Sequence, residues 1–396
     1  MTQKPASSES ESLRSFDHQP RTRLIFGVDA IEQLGNLARA IGAKKVLLVT
    51  DPGIVAAGHA GRVRQNLESV GLDVALFDKA RENPTTKCVD DCLAVAKTTG
   101  PDTIIGLGGG SAMDTAKGCN FLLTNGGRMQ DYRGVGKASK PMLPLIAIPT
   151  TAGTGSECQS AALIVDETTH EKMACLDPKA AARIAILDPR LTLSQPPRVT
   201  SCAGMDAIAH ALETAVAKKR NALSMMYSRE SFQLCIRAFA EVVTHPKDIQ
   251  ARGRMLLGAA LAGLAIENSM LGAAHAAANP LTAHFGIVHG QAVGLMLPHV
   301  IRFNAQQPES RKAYNELAVM AELTPAGHNH ASETLIERIE LLLKLSRMPR
   351  SLNGPGDRKK IPLLAREAAR QWTATFNPRP VSENDFVKIY EAAFDV

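Results

Sequence analysis

The stretch DTIIGLGGGSAMDTAK, residues 102–117, runs from a short isoleucine-rich segment through three consecutive glycines into helical spacing. Gly108, Gly109 and Gly110 let the backbone approach a phosphate with no Cβ in the way. A helix opening directly after them offers uncommitted N–H groups and the positive end of its dipole, and Ser111 adds a hydroxyl. A glycine triplet alone is usually a turn. A strand before it and a helix after it favour phosphate binding. The stretch is one step in a longer alternation. KKVLLVTD (44–51), VALFD (74–78), LIAIPT (145–150), ALIVD (162–166) and RIAILD (183–188) read as buried strands. Between them lie helical patterns through Val63, Leu67 and Val70, and through Val89, Cys92, Leu93 and Ala96. This order predicts βαβ units and a parallel, Rossmann-like sheet with right-handed crossovers.

A second loop, IPTTAGTGSE (148–157), also follows a strand and is crowded with hydroxyls and glycines. Thr150, Thr151 and Thr154 are candidates for the amide or ribose groups of a dinucleotide, and Asp114, behind the triplet, is grouped with them. Asp51 ends the first of these strands. An acidic side chain there accepts from a ribose hydroxyl and repels a 2′-phosphate, which favours NAD over NADP.

The pattern changes at DPRLTLSQPPRVT (188–200), where three prolines fall within nine residues. Beyond it almost no strand pattern is found, and Ala- and Leu-rich helical stretches cover 203–217, 222–243, 251–278, 312–322 and 332–346. The expected organisation is a disordered tail over 1–20, an α/β dinucleotide-binding domain over 21–195 and an all-α domain over 196–396. Two segments of the second half bring ligating side chains into apolar surroundings. GMDAIAHALE carries Asp206 and His210, four apart and so on one helix face. GAAHAAANPLTAHFGIVHG carries His275, His284 and His289, with Pro280 and Gly286 between the outer two histidines, and Gly290 just after them, expected to break the chain. Polar groups in such apolar helices are costly unless they find partners. A mixed nitrogen and oxygen donor set without thiolates fits a catalytic Fe(II) or Zn(II).

The rest of the chain excludes other classes. The net charge of +6 comes from dispersed residues, and one Trp and four Tyr give no aromatic–basic interleaving, so no nucleic-acid partner is expected. No apolar run is long enough to span a membrane. The start, MTQKPASSESESLRSFDHQP, lacks the apolar core of a secretory signal. Seven scattered cysteines read as reduced thiols, and the expected location is the cytoplasm.

Four motifs in order, GGGSAMDTAK, IPTTAGTGSE, GMDAIAHALE and the stretch from His275 through HGQAVGLMLPHV (289–300), resemble the iron-containing (group III) alcohol dehydrogenases of the dehydroquinate-synthase-like superfamily. The resemblance covers roughly residues 22–395. It implies an α/β N-terminal nucleotide-binding domain, an all-α C-terminal domain and a metal in the cleft between them. On the matching positions it makes Asp206, His210, His275 and His289 the ligands. Gly108, Gly109, Gly110, Ser111, Thr150, Thr151 and Lys172 would line the NAD site, with Asp51 at the ribose. The implied reaction passes hydride between a small alcohol, or its aldehyde or ketone, and NAD(H), in a homodimer or larger homo-oligomer. A polyol or hydroxy-acid dehydrogenase, or a dehydroquinate-synthase-like lyase, is the alternative on this scaffold. The metal-flanking segments are Ala, Leu and Gly with almost no Lys or Arg, which favours a small, weakly polar substrate over a phosphorylated one. One departure stands out: many members carry a histidine where this chain has Asn279. An asparagine orients a substrate oxygen but does not titrate, which leaves water, the ribose hydroxyls or His284 to take the released proton.

Overall fold

The computed structural model describes residues 14–169, 171–327, 331–353 and 356–395. Most of the expected tail, residues 1–13, lies outside them. From Arg14 to Pro20 the chain has no helix or strand, but it is anchored: Arg14 donates to the Lys218 carbonyl and His18 meets Asn268 at 3.0 Å.

The strands are β1 (Arg23–Phe26), β2 (Lys45–Val49), β3 (Asp73–Phe77), β4 (Thr103–Gly108), β5 (Gly134–Val135), β6 (Leu145–Pro149), β7 (Ala161–Val165), β8 (Lys172–Leu176) and β9 (Ile184–Leu187). Their helices are α1 (Leu34–Ala40), α2 (Pro52–Ala56), α3 (His59–Ser69), α4 (Thr86–Thr99) and α5 (Gly110–Asn125). Six strands form one sheet, β1-β9-β6-β4-β2-β3, with every pairing parallel. Because side chains alternate faces, Val46, Leu48, Ile105 and Leu107 join the core under one face, while Leu47, Val49 and Ile104 join the core under the other. This is why the strands read as continuous apolar runs. From β2 the chain steps to β3 on one side, then returns to β4 on the other. That reversal is a topological switch point, where ligands of open parallel sheets bind beyond the carboxyl ends of the strands. Neighbouring β2, β4 and β6 end at Asp51, the glycine triplet and Thr150.

One strand departs from the expected parallel arrangement. β7 pairs antiparallel with β8, and with β5 they form a separate three-stranded sheet. Only six residues separate β7 from β8, enough for a hairpin and too few for a parallel crossover.

From Pro197 the chain is helical: α6 (Pro197–Val216), α7 (Ala222–Thr244), α8 (Ile249–Glu267), α9 (Ala273–Phe285), α10 (His289–Asn304), α11 (Pro308–Met320), α12 (Ala331–Leu345), α13 (Ile361–Arg370) and α14 (Glu383–Phe394). The expected helix over 251–278 is two helices, interrupted before Gly272. Pro280, expected to break the chain, instead lies inside α9, which ends at Gly286 in the left-handed region (φ 63°). The missing N–H of a proline weakens a helix without ending it when tertiary packing holds both sides.

The chain forms two compact units. The α/β unit comprises Pro20–Thr200 together with His245–Gly263, a stretch that the sequence reading places in the helical half. The helical unit contains Ser201–Thr244 and the chain from Leu264 onward. All seven cysteines are buried and none forms a disulfide among the described residues, and no described helix is long and apolar enough to cross a membrane.

Candidate metal centre and cofactor loops

Asp206, His210 and Glu213 recur on α6 at i, i+4 and i+7, so one helix face carries all three. His275 lies in the first turn of α9 and His289 opens α10. Asp206 Oδ1 is 3.3 Å from His275 Nε2, 3.5 Å from His210 Nε2 and 4.0 Å from His289 Nε2. The His210 and His275 rings stack with centroids 4.8 Å apart, and His289 stands 5.4 Å from His275. Asp206, His210 and His275 are buried, and His289 is half-buried. The structure therefore brings together all four residues expected as ligands.

Two atoms carry the fit to a metal. Asp206 Oδ1 and His275 Nε2 are both buried and make no hydrogen bond. Orphaned polar atoms of this kind are expensive, yet here they converge, with one ligand atom each from Asp206, His210 and His275 lying within 4.8 Å of one another. A carboxylate oxygen and imidazole nitrogens form the donor set of a divalent first-row ion. Burial alone would push the Asp206 carboxyl up, but His210, His275 and His289 together hold it well below the usual carboxylate range.

Glu213 is absent from the residues expected above, and it orders the centre. Its Oε2 meets His275 Nδ1 at 2.5 Å while its Oε1 accepts the Ala274 N–H at 2.7 Å. The carboxylate thus caps the first turn of α9, where the helix dipole favours an anion. It also fixes Nδ1 as the protonated nitrogen, so that Nε2 presents its lone pair to the centre. Burial pulls the His275 pKa down, but the charges of Glu213 and Asp206 outweigh it and raise it to about 9.

His289 reaches the centre because α10 lies very close to α6. A Cβ on Gly290 would stand 2.1 Å from the Cys202 carbonyl oxygen, and one on Gly294 would stand 2.5 Å from Met205 Cγ. Gly290→Ala is therefore expected to push α10 away and cut iron retained per chain by at least about half, with helix content little changed. Metal analysis alongside circular dichroism checks this; wild-type iron content would show that close approach does not set the ligand.

The two candidate catalytic residues lie elsewhere on α9. Asn279, one turn beyond His275, donates from Nδ2 to Gln371 Oε1 at 3.0 Å. His284 lies nine residues beyond His275, about half a turn around the helix at about 3.6 residues per turn. Its Nε2 meets Glu367 Oε2 at 2.8 Å.

In the α/β unit, α5 starts at Gly110, and no side chain caps its N-terminus at Gly109. Its first-turn N–H groups suit a diphosphate. Gly108 has φ 146°, and a Cβ there would stand 2.9 Å from the Ala112 Cβ and 3.1 Å from Asp51 Oδ2. Asp51 caps α2, with Oδ1 accepting from Gly53 N and Ile54 N. Thr151 and Thr154 lie against Gly109 and Gly110, where an added Cβ would come within 3.3 and 2.9 Å of them. Thr150 Oγ1 is buried without a hydrogen-bond partner. Ser111 is half-buried in the first turn of α5. Lys172, at the exposed start of β8, donates to Asn83 at 3.3 Å. Asp114 is buried and accepts from Ser156 Oγ at 2.9 Å.

Burial pushes the Asp114 carboxyl up, and it pushes Glu157 up to about 7, with Lys117 opposing both shifts. Glu157 ordinarily titrates near 4.5, so the folded state holds its proton more tightly than the unfolded chain does. Its full contribution is present below that pH and is lost as pH rises through about 7. Glu157→Gln is expected to remove this slope, so its melting temperature gains on the wild type as pH rises from about 5 to about 8. Melting curves across that range test it, and a constant difference between the two proteins would refute it.

A glycine loop at the switch point of a parallel sheet, with a buried aspartate facing two buried histidines and a half-buried one in a helical unit, is the equipment of a metal-dependent dinucleotide oxidoreductase. Models of the iron-containing alcohol dehydrogenases match residues 20–189, and those of the family's C-terminal part match 200–394, so the chain belongs to the iron-containing alcohol dehydrogenase family. It is 34% identical over 370 residues to alcohol dehydrogenase 4 of Schizosaccharomyces pombe, covering 93% of this chain and 87% of that one. It is 33% identical to the NAD-dependent methanol dehydrogenase of Bacillus methanolicus, covering 93% and 97%. A crystal structure of a 1,3-propanediol oxidoreductase superposes with a TM-score of 0.92 at 31% identity, over 96% of this chain and all of that one. The protein is an oxidoreductase of the alcohol dehydrogenase type, and iron is the family metal. A sulfoacetaldehyde reductase of Bifidobacterium kashiwanohense, 26% identical with a TM-score of 0.87 over 96% of this chain and 99% of that one, has been solved in complex with NAD+.

Proposed function

We propose that the protein interconverts a small, weakly polar primary alcohol or diol and its aldehyde, with Asp206, His210, His275 and His289 holding the iron. The observation that carries this reading is the buried Asp206 oxygen surrounded by three imidazoles. A divalent ion bound by these residues supplies Lewis acidity, lowering the pKa of a substrate hydroxyl. The protein's own groups do the remaining work. Glu213 holds His275 in the ligating tautomer, and the apolar α6 and α9 segments keep bulk water from the reacting oxygen. The glycine triplet and α5 hold the diphosphate, Asp51 accepts from the adenosine ribose, and Ser111, Thr150, Thr151, Thr154, Asp114 and Lys172 complete the NAD site. Asn279 orients the substrate oxygen, and His284, paired with Glu367, carries the released proton toward solvent.

Segments flanking the ligands are alanine-, leucine- and glycine-rich, which supports an uncharged substrate, as do relatives named for methanol and 1,3-propanediol. A division of labour between residues 21–195 and 196–396, a homodimeric or larger assembly and a cytoplasmic location belong to the same proposal. The test is a panel of alcohols and aldehydes with NAD(H) on chelated protein reloaded with Fe(II) or Zn(II). Turnover restored by metal on a short alcohol supports the reading. No turnover with either metal on any alcohol or aldehyde overturns it.

A further inference from the structure

The loop carrying Thr150, Thr151 and Thr154 is fastened to α5 by a buried ammonium. Lys117, in the third turn of α5, is fully buried. Its Nζ lies 2.7 Å from the Ser156 carbonyl oxygen, 2.9 Å from Ser156 Oγ, 2.8 Å from the Gln159 oxygen and 2.9 Å from the Ala161 oxygen. Ser156 Oγ in turn donates to Asp114 Oδ1, one turn back on the same helix. The three protons of the ammonium are thus committed to protein oxygens, and none is left for a ligand.

Taking an ammonium out of water is costly, and a well-packed apolar side chain often serves stability as well or better. The charge therefore matters for which backbone conformation it selects. The far side of the loop is fixed by close packing within the same unit. Gly155 has φ 63°, and a Cβ there would stand 2.7 Å from the Ala259 oxygen of α8; one on Gly263 would stand 2.3 Å from the Gly155 oxygen. Residues 154–157 are thereby clamped between α8 and the Lys117 ammonium. At the loop's leading edge, Thr154 and Thr151 lie in contact with Gly110 and Gly109. Any slack at Ser156 is transmitted to the spacing between these threonines and the glycine triplet.

We propose that Lys117 is a positioning residue for the dinucleotide: through Ser156 it sets the spacing between the glycine triplet and the threonine loop, and so the affinity for NAD(H), without touching the ligand. The inference rests on the cofactor role proposed above for these two loops. The test is NADH affinity by fluorescence titration, iron content and steady-state kinetics for wild type, Lys117→Met and Lys117→Met/Glu157→Gln. Lys117→Met is expected to raise the Kd for NADH and the KM for NAD at least tenfold, with kcat at saturating NAD within about threefold of wild type and iron content unchanged. Without its cation Glu157 holds its proton more tightly still, a cost at about pH 8 that glutamine does not carry, so at that pH the melting temperature of the double variant recovers while the Kd stays high. Recovery of the Kd together with the melting temperature would overturn the proposal, because the lysine would then serve stability alone. If Lys117→Met does not fold, Ser156→Ala replaces it. A three- to tenfold rise in Kd then supports the proposal, and wild-type affinity overturns it. Absence of NADH binding by the wild type would instead fail the cofactor reading of the loops, and the inference with it.

Discussion

His275→Ala is expected to yield folded protein without bound iron and with turnover reduced by about a thousandfold or more, the scale of losing a Lewis acid that supplies several kcal/mol. The expectation follows from the position of His275 at the middle of the cluster. Its ring stacks on His210 and faces His289, and its Nε2 is the nitrogen nearest to the buried Asp206 oxygen. Alanine removes a donor and opens a path for water to the carboxylate. His284→Ala is the control on the same helix. That side chain sits on the opposite face of α9, about two and a half turns further on, and pairs with Glu367, so iron content is expected to stay at the wild-type level while the pH dependence of turnover changes. Metal analysis of the two purified variants, with rates of NAD reduction, decides the matter. Stoichiometric iron in His275→Ala would remove His275 from the ligand set.

Glu213→Gln is expected to weaken iron affinity by about 10- to 100-fold, the usual scale for a group that orients a metal-ligating histidine. The substitution is nearly isosteric, but the chemistry does not survive it. Glu213 accepts from two donors at once, the Ala274 N–H on one oxygen and His275 Nδ1 on the other. Glutamine has a single acceptor oxygen, so its NH2 must oppose one of the two. If the amide nitrogen faces His275, the ring moves its proton to Nε2 and loses the lone pair that faces Asp206. If it faces Ala274, α9 loses the cap of its first turn. Competition with a calibrated chelator measures the affinity. An unchanged value would show that the His275 tautomer does not depend on Glu213.

The fold was largely legible because a parallel sheet covered on both faces writes its strands as unbroken apolar runs, and β2, β3, β4, β6 and β9 each carry one. β7 carries one too, so its run predicted a strand but not the partner it chose. β8 was missed because KMACL begins at an exposed lysine and alternates weakly. β1, four residues at the sheet edge, has exposed ends and too little length to stand out. Pro280 misled because the rule against internal proline is local, whereas the packing that holds α9 together is not. In the helical unit, ligand candidates were visible as polar residues inside alanine-rich helices. Glu213 gave the same signal, seven residues after Asp206 on the same face, and was overlooked because glutamate at the end of an apolar helix normally faces solvent. Lys117 gave no local signal. Its acceptors lie 39 to 44 residues away in the chain, and only the fold brings them to it.

The arrangement of α6, α9 and α10 has a consequence for folding. In the proposed centre, the outermost ligands are Asp206 and His289, so a bound ion acts as a cross-link closing a long loop of chain between three helices. Unlike a disulfide, this link is absent from the unfolded chain, where the four side chains are not assembled, so the ion stabilises by binding the folded state rather than by restricting the unfolded one. By mass action, the helical unit then gains stability with the logarithm of free metal above the dissociation constant. The ion that equips the active site also selects the folded chain, which couples the amount of folded enzyme in solution to metal supply.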